Sequence, residues 1–226
     1  MRQCAGLALG LWLGVGCARG PSQVLSTPAV TAIGKVEQST LDACMVCHST
    51  REMQRGPVLD GQPEWYLAEQ LRNFKMGRRG KNPANRAGAL MGAAMAKVDT
   101  EIQLAALARH FAALKPKPFI RVIRGDIAAG RVHYVTRCAS CHGAKGEGKP
   151  EIESPPVNVQ EDWFLLDQLR KYANGQRGVN PSDAGGLMMK AAAAVLSPDD
   201  LRNVVAYIAK DLTVTPPLQK VAAPKP

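Results

Sequence analysis

The sequence predicts an all-α chain of two tandem domains, and three observations predict it. The motif Cys-x-x-Cys-His occurs twice, as Cys44-Met45-Val46-Cys47-His48 and as Cys138-Ala139-Ser140-Cys141-His142. Residues 64–98 align without a gap onto residues 162–196 at a constant offset of 98, with 15 identities in 35 positions. Ordinary residue frequencies would give roughly two. The apolar residues of both copies recur at helical spacing, with no strand-like alternation. One module has been duplicated.

The motif dictates its own chemistry. Two thiols three positions apart on a helical turn can each add to a vinyl group of one porphyrin, and the histidine that follows points its imidazole at the iron. A zinc site would need two further Cys or His ligands per copy. Apart from Cys4 and Cys17 near the N-terminus, the chain has only His110 and His133 to offer. A thioredoxin-like redox pair wants a βαβ setting, which the pattern does not supply. Two covalently bound haem c groups are therefore expected. Cys44 and Cys47 would hold one, with His48 as iron ligand; Cys138 and Cys141 would hold the other, with His142.

At 226 residues the chain could form one or two domains by length, and the repeat decides for two. Domains of about 95 residues bury little surface unaided, so a porphyrin in each should complete the core and couple folding to attachment. The expected plan is a signal peptide at 1–18, a flexible leader at 19–34, a first haem domain at 35–116, a second at 117–215 and a disordered tail at 216–226. Arg2 is a thin positive start, Ala5 to Val15 is apolar but short for a membrane span, and Gly16-Cys17-Ala18 suits cleavage after Ala18. Lipidation of Cys17 is the alternative, although Gly14-Val15 suits the lipoprotein pattern poorly; an uncleaved anchor is a third. Export to the periplasm is the expectation, with membrane association through Cys17 left open.

The formal charge of +10 is spread over both units, 13 Lys/Arg against 8 Asp/Glu in residues 21–120 and 14 against 11 in residues 121–226. There is no long basic run and no basic stripe interleaved with aromatics, so nucleic acid is not an expected partner. The excess reads either as a solvated surface or as a docking face for acidic redox proteins.

In chain order, residues 36–47 form a short helix delivering the first motif, and the loop 55–62 has no regular period. Pro63 suits the first turn of a helix running to Lys75, stopped by Gly77, with Leu67, Leu71 and Phe74 on one face. Residues 77–90 read as a Gly/Asn/Pro/Arg loop ending at Met91. A last helix starts near Asp99 with Leu104, Leu107, Phe111 and Leu114 on its stripe, and Lys115-Pro116-Lys117-Pro118 is the linker. The second unit repeats the order: 130–137 lead helically into Cys138, 163–173 form the middle helix, and Ser197-Pro198-Asp199-Asp200 starts the last one. Its four extra residues are expected in the glycine-rich stretch 143–148.

These features resemble class I c-type cytochrome domains, and the tandem is similar to the dihaem cytochrome c4 family. The resemblance rests on Gly130-x-x-x-Tyr134-x-x-x-Cys138-x-x-Cys141-His142-Gly143, on Gln70-Leu71-x-x-Phe74-x-x-Gly77-x-Arg79, and on Met189 eight residues before Ser197. The first unit departs from it with Thr40 for Tyr134, Ser49 for Gly143 and His110 for Tyr207. Met91 and Met189 are the repeat-equivalent methionines, and the family's axial methionine occupies their place. They are the expected sixth ligands, with Met95 and Met188 as alternatives. A thioether there closes the iron and favours its ferrous state. The resemblance also implies that the carbonyls of Pro57 and Pro155 accept from the proximal imidazoles, unless these are ordinary loop prolines. Arg79 and Arg177 would neutralise haem propionates or cap helices; His110 and His133 read as packing or surface residues.

The expected function is single-electron transfer between respiratory partners outside the cytoplasm, from or to acidic redox proteins or membrane complexes such as a terminal oxidase. The alternative is a haem-bearing subunit of an enzyme complex, such as a flavin-dependent sulfide dehydrogenase. A dihaem peroxidase is disfavoured, because it needs one iron able to open. The chain is expected to be no enzyme by itself.

Overall fold

The computed structural model describes residues 36–49 and 54–214. The signal peptide expected at 1–18, the leader at 19–34 and the tail at 216–226 lie outside the described residues. The first domain contains helices α1 (Gln38–His48), α2 (Glu64–Lys75), α3 (Arg86–Met95) and α4 (Glu101–Ala112). The second contains α5 (Ile127–His133), α6 (Ala139–His142), α7 (Asp162–Ala173), α8 (Ala184–Ala194) and α9 (Pro198–Tyr207). No β-strand occurs among the described residues. The molecule is all-α, with two tandem domains of the same helical order.

The helix starts follow from capping chemistry. Thr100 accepts from the Gln103 backbone while the Gln103 side chain reaches back, and Ser197 with Asp200 does the same ahead of Pro198. The stretch read as loop up to Met91 turns helical five residues earlier. Asn85 accepts from the Gly88 amide, and Asp183 from the Gly186 amide, so α3 and α8 begin at Arg86 and Ala184. Glycines inside the first turn masked this start, because they lower helix propensity where the cap raises it. A second departure is the entry to the second motif, where a π-helical turn, Tyr134–Cys138, is inserted between α5 and α6.

Each domain buries its own core. In the first, Leu41, Leu67, Phe74, Met95, Leu104, Leu107 and Phe111 pack together. In the second, Leu166, Tyr172, Leu201 and Val205 form one cluster, and Tyr134, Val204, Tyr207 and Ile208 another. The backbones of α5 and α9 touch: a Cβ at Gly130 would stand 2.0 Å from the Asn203 carbonyl oxygen. Beside this crossing the fully buried Tyr134 donates its hydroxyl to the Gly143 carbonyl at 2.7 Å and lies 5.7 Å from the Tyr207 ring. Thr40 and His110 fill the matching places in the first domain, which therefore lacks this tyrosine pair.

The linker is held at both ends. Lys117 Nζ lies 2.8 Å from the buried Asp60 carboxylate. The Val122 and Ile123 amides donate to the Asp162 carboxylate at 2.7 and 2.8 Å. Between the domains, residues meet their own repeat counterparts in a pseudo-twofold pattern. Gln160 Nε2 donates to Gln62 Oε1 at 2.9 Å. Arg79 donates to Gln70 (2.7 Å) and Gln168 (2.9 Å), and Arg177 to Gln168 (2.8 Å) and Gln70 (3.0 Å).

Candidate haem-attachment sites

Helix α1 carries Cys44 and Cys47 on its last turns and ends on His48. The π-helical turn ends on Cys138, and α6 carries Cys141 and ends on His142. All four thiols are unpaired and half-buried. Burial pushes the Cys44 thiol up, helped by nearby Cys47, and pushes Cys138 up to about 11.

His48 Nδ1 lies 2.7 Å from the Pro57 carbonyl oxygen, and His142 Nδ1 lies 2.8 Å from that of Pro155. A carbonyl only accepts, so each Nδ1 carries the ring proton and each Nε2 presents its lone pair. Burial lowers both imidazole pKa values, more than the carbonyls raise them, so both rings are neutral at pH 7. At the second site Ser154 Oγ also stands 3.2 Å from His142 Nδ1. Its repeat counterpart is Gly56, where a Cβ would meet His48 Cε1 at 2.6 Å. The two prolines are therefore not ordinary loop residues: each orients an imidazole.

Met91 and Met189 lie on α3 and α8, half-buried against their own domain cores. The alternatives are placed differently. Met95 is 2 % exposed within the first core, and Met188 is 67 % exposed. His133 Nε2 lies 3.0 Å from Asp200, and the His110 ring stands edge-on to Phe111. Both are accounted for without iron.

The interface holds a feature that residue types alone did not reveal. The guanidiniums of Arg79 and Arg177 are buried together, each stacked at 4.5 Å over an aromatic ring, Phe74 and Tyr172 respectively. Their terminal nitrogens donate to glutamine oxygens, and both Nε atoms are buried with no partner among the described residues. Burial first, and then the charge of Arg177, pulls the Arg79 pKa down to about 10. Two cations with no carboxylate in contact among the described residues call for anions, and porphyrin propionates are of the right charge. Together with the thiol pairs, the free imidazole lone pairs and the thioethers, the residues fit haem c. Among the described residues no three His, Cys, Asp or Glu side chains converge into a metal site of their own.

Sequence reasoning missed Gln54, Gln62, Gln160 and Glu161, which knit the domains together. Gln62 and Gln160 carried a usable signal, because they are themselves repeat-equivalent. Glu161 carried none: its counterpart is Pro63.

The family described as Cytochrome c matches residues 127–210. Cytochrome c-554(547) of Halothiobacillus neapolitanus is 33% identical over 89 residues, covering 38% of this chain and 96% of that protein. A thiosulfate dehydrogenase electron acceptor of Thiomonas intermedia is 31% identical over 157 residues, 62% of this chain and 66% of that one. Among solved structures, cytochrome c4 of Acidithiobacillus ferrooxidans superposes with a TM-score of 0.59 at 25% identity, covering 74% of this chain and 97% of that chain.

Proposed function

From the premise that this chain belongs to the c-type cytochromes, in the dihaem arrangement of cytochrome c4, we propose that it carries electrons between respiratory partners in the periplasm. It is a dihaem electron-transfer protein and not an enzyme in its own right, with haem c bound covalently at the two Cys pairs. Each haem supplies an iron that cycles between ferric and ferrous states. The protein's residues would hold that iron closed. His48 and His142, oriented by Pro57 and Pro155, would ligate it through Nε2, and Met91 and Met189 would supply the thioethers. A soft sulfur ligand excludes oxygen and peroxide and favours reduction. Arg79 and Arg177, buried at the interface beside each other's glutamine partners, would be the residues to pair with the propionates. The observation that carries this reading is the pair of neutral, carbonyl-oriented imidazoles directly after two thiol pairs.

The formal charge of +10 supports acidic redox proteins, or an acidic face of a membrane complex such as a terminal oxidase, as partners. A second reading is favoured by one comparison: the Thiomonas relative is named as the electron acceptor of a thiosulfate dehydrogenase. A comparable sulfur-oxidising enzyme is then the donor. The signal peptide at 1–18, with cleavage after Ala18 or lipidation of Cys17, belongs to the same proposal.

Stopped-flow oxidation of the reduced protein across an ionic-strength series tests it, with carbon monoxide binding as control. A free carrier transfers quickly, slows steeply as the Debye length falls below ~10 Å, and binds no carbon monoxide at neutral pH. Slow, salt-insensitive exchange, with co-purification of a dehydrogenase, favours the subunit reading. Rapid carbon monoxide binding to either haem overturns the closed-iron assignment.

A further inference from the structure

We infer that Glu161, which lies in the second domain, is a positioning residue for the first haem, and that its charge biases that haem towards the ferric state. The inference rests on the dihaem reading above. It comes from one peptide group. The Pro57 carbonyl accepts the Nδ1 proton of His48 at 2.7 Å. The amide N–H of the same peptide unit belongs to Val58, and it donates to Glu161 Oε2 at 2.8 Å. A carboxylate, one peptide and the imidazole therefore stand in a row.

The direction of the effect follows from hydrogen-bond polarisation. A negative charge on the N–H end of an amide draws its electrons towards oxygen, so the carbonyl becomes a stronger acceptor. The Pro57 oxygen then pulls harder on the His48 proton, and the ring gains imidazolate character. A more basic ring donates more strongly to iron and stabilises the ferric state. The carboxylate's own field acts in the same sense. Glu161 is 5 % exposed, so solvent screens it weakly. Gln54 holds it in place, donating to both carboxylate oxygens at 3.0 and 2.8 Å and to the Gly56 carbonyl at 2.9 Å.

The second site cannot copy this device. The residue after Pro155 is Pro156, so the peptide whose carbonyl accepts from His142 has no N–H. The position equivalent to Glu161 is Pro63. In place of the relay, Ser154 Oγ shares the His142 proton at 3.2 Å. The two proximal sides thus differ by a buried charge, although their histidine–carbonyl distances agree within 0.1 Å. The asymmetry also makes the first haem sensitive to domain contact, because its carboxylate is supplied from the other domain.

The test is a redox titration of the intact dihaem protein, wild type against Glu161→Gln and Glu161→Asp. Nuclear magnetic resonance assigns each one-electron step to a haem and follows the Nδ1 protons of His48 and His142. Glu161→Gln keeps an acceptor for the Val58 amide and loses the charge. It should shift the first haem's reduction equilibrium towards ferrous by about threefold to tenfold, as a unit charge several ångströms away does at intermediate dielectric. The His48 proton should move while the second haem and the His142 proton stay in place. Glu161→Asp, which keeps the charge, should retain most of the wild-type value. Equal shifts in both haems, an unmoved first haem, or a first haem that moves towards ferric would overturn the inference alone. Fewer than two one-electron steps in the wild type would overturn the dihaem reading, and this inference with it.

Discussion

The protons on His48 and His142 sit on Nδ1 because a prolyl carbonyl stands 2.7–2.8 Å away and can only accept. That fixed tautomer leaves the Nε2 lone pair free to ligate, and the thioether proposed as the sixth ligand is open to a direct test. Replacing Met91 or Met189 by alanine should leave both haems attached, because attachment depends on the thiols. The ferric sulfur-to-iron charge-transfer band should fall by about half in each single variant, since one of two soft ligands is lost. Two single variants that both keep the full band would show that other groups close the irons. A related change probes the ring itself. A methyl group at Gly56 would stand 2.6 Å from His48 Cε1. Gly56→Ala should therefore perturb the first haem's spectrum and leave the second unchanged. The residue scale was only partly legible. Cys-x-x-Cys-His announces itself in any sequence, whereas Glu161 becomes a neighbour of the Pro57–Val58 peptide only when two domains meet.

At the scale of elements, capping and crossing are the features that decide stability. Thr100 starts α4 with a reciprocal box to Gln103. Thr100→Ala should cost about 1 kcal/mol, read as a lower Tm with unchanged haem spectra. The crossing of α5 and α9 tolerates less. A Cβ at Gly130 meets the Asn203 carbonyl at 2.0 Å and Tyr207 Cβ at 3.0 Å, so the helices must separate to admit it. Gly130→Ala should destabilise the second domain by roughly 1–3 kcal/mol. It should also loosen the Tyr134 hydroxyl contact to Gly143, and with it the loop after His142. Calorimetry of the holo-protein checks both, and a Gly130→Ala variant as stable as wild type would count against the close crossing. The helices α2, α4, α7 and α9 were legible from apolar spacing. The first turns of α3 and α8 were not, because Asn85 and Asp183 cap segments whose glycines argue for loop.

For the whole molecule, the charge pattern and the interface matter most. Acid-acetone extraction should leave the colour with the polypeptide, and quantitation should give two haems per chain. One haem, or an extractable one, would contradict the two-site reading. The buried Arg79–Arg177 pair makes a second expectation. Two guanidiniums in one interface repel each other unless anions join them, and burial already lowers the Arg79 pKa to about 10. The domain contact should therefore tighten on haem loading. Replacing Arg79 with leucine removes the repulsion, so it should weaken that dependence. Limited proteolysis of the linker and the segment after it, residues 115–123, in apo- and holo-protein measures it. Cleavage equally slow in both forms of the wild type would sink the idea.

The sequence by itself determined the fold class, the duplication and the covalent cofactor, because each follows from local spacing: two residues between thiols, a helical period, a constant offset of 98. It also placed Met91 and Met189 at equivalent positions, although it set them at loop ends when they lie within α3 and α8. Only the tertiary structure decided what surrounds the two haem sites. The Gln62–Gln160 and Arg79–Gln168 contacts join residues about 90 to 100 positions apart, and no local pattern ranks such pairs. The same holds for Glu161. Its carboxylate gains a partner through the pseudo-twofold docking of two nearly equal domains, and the proline in its counterpart position leaves the second site without one. Repetition is written in the chain; the difference between the two sites arises where the repeats touch.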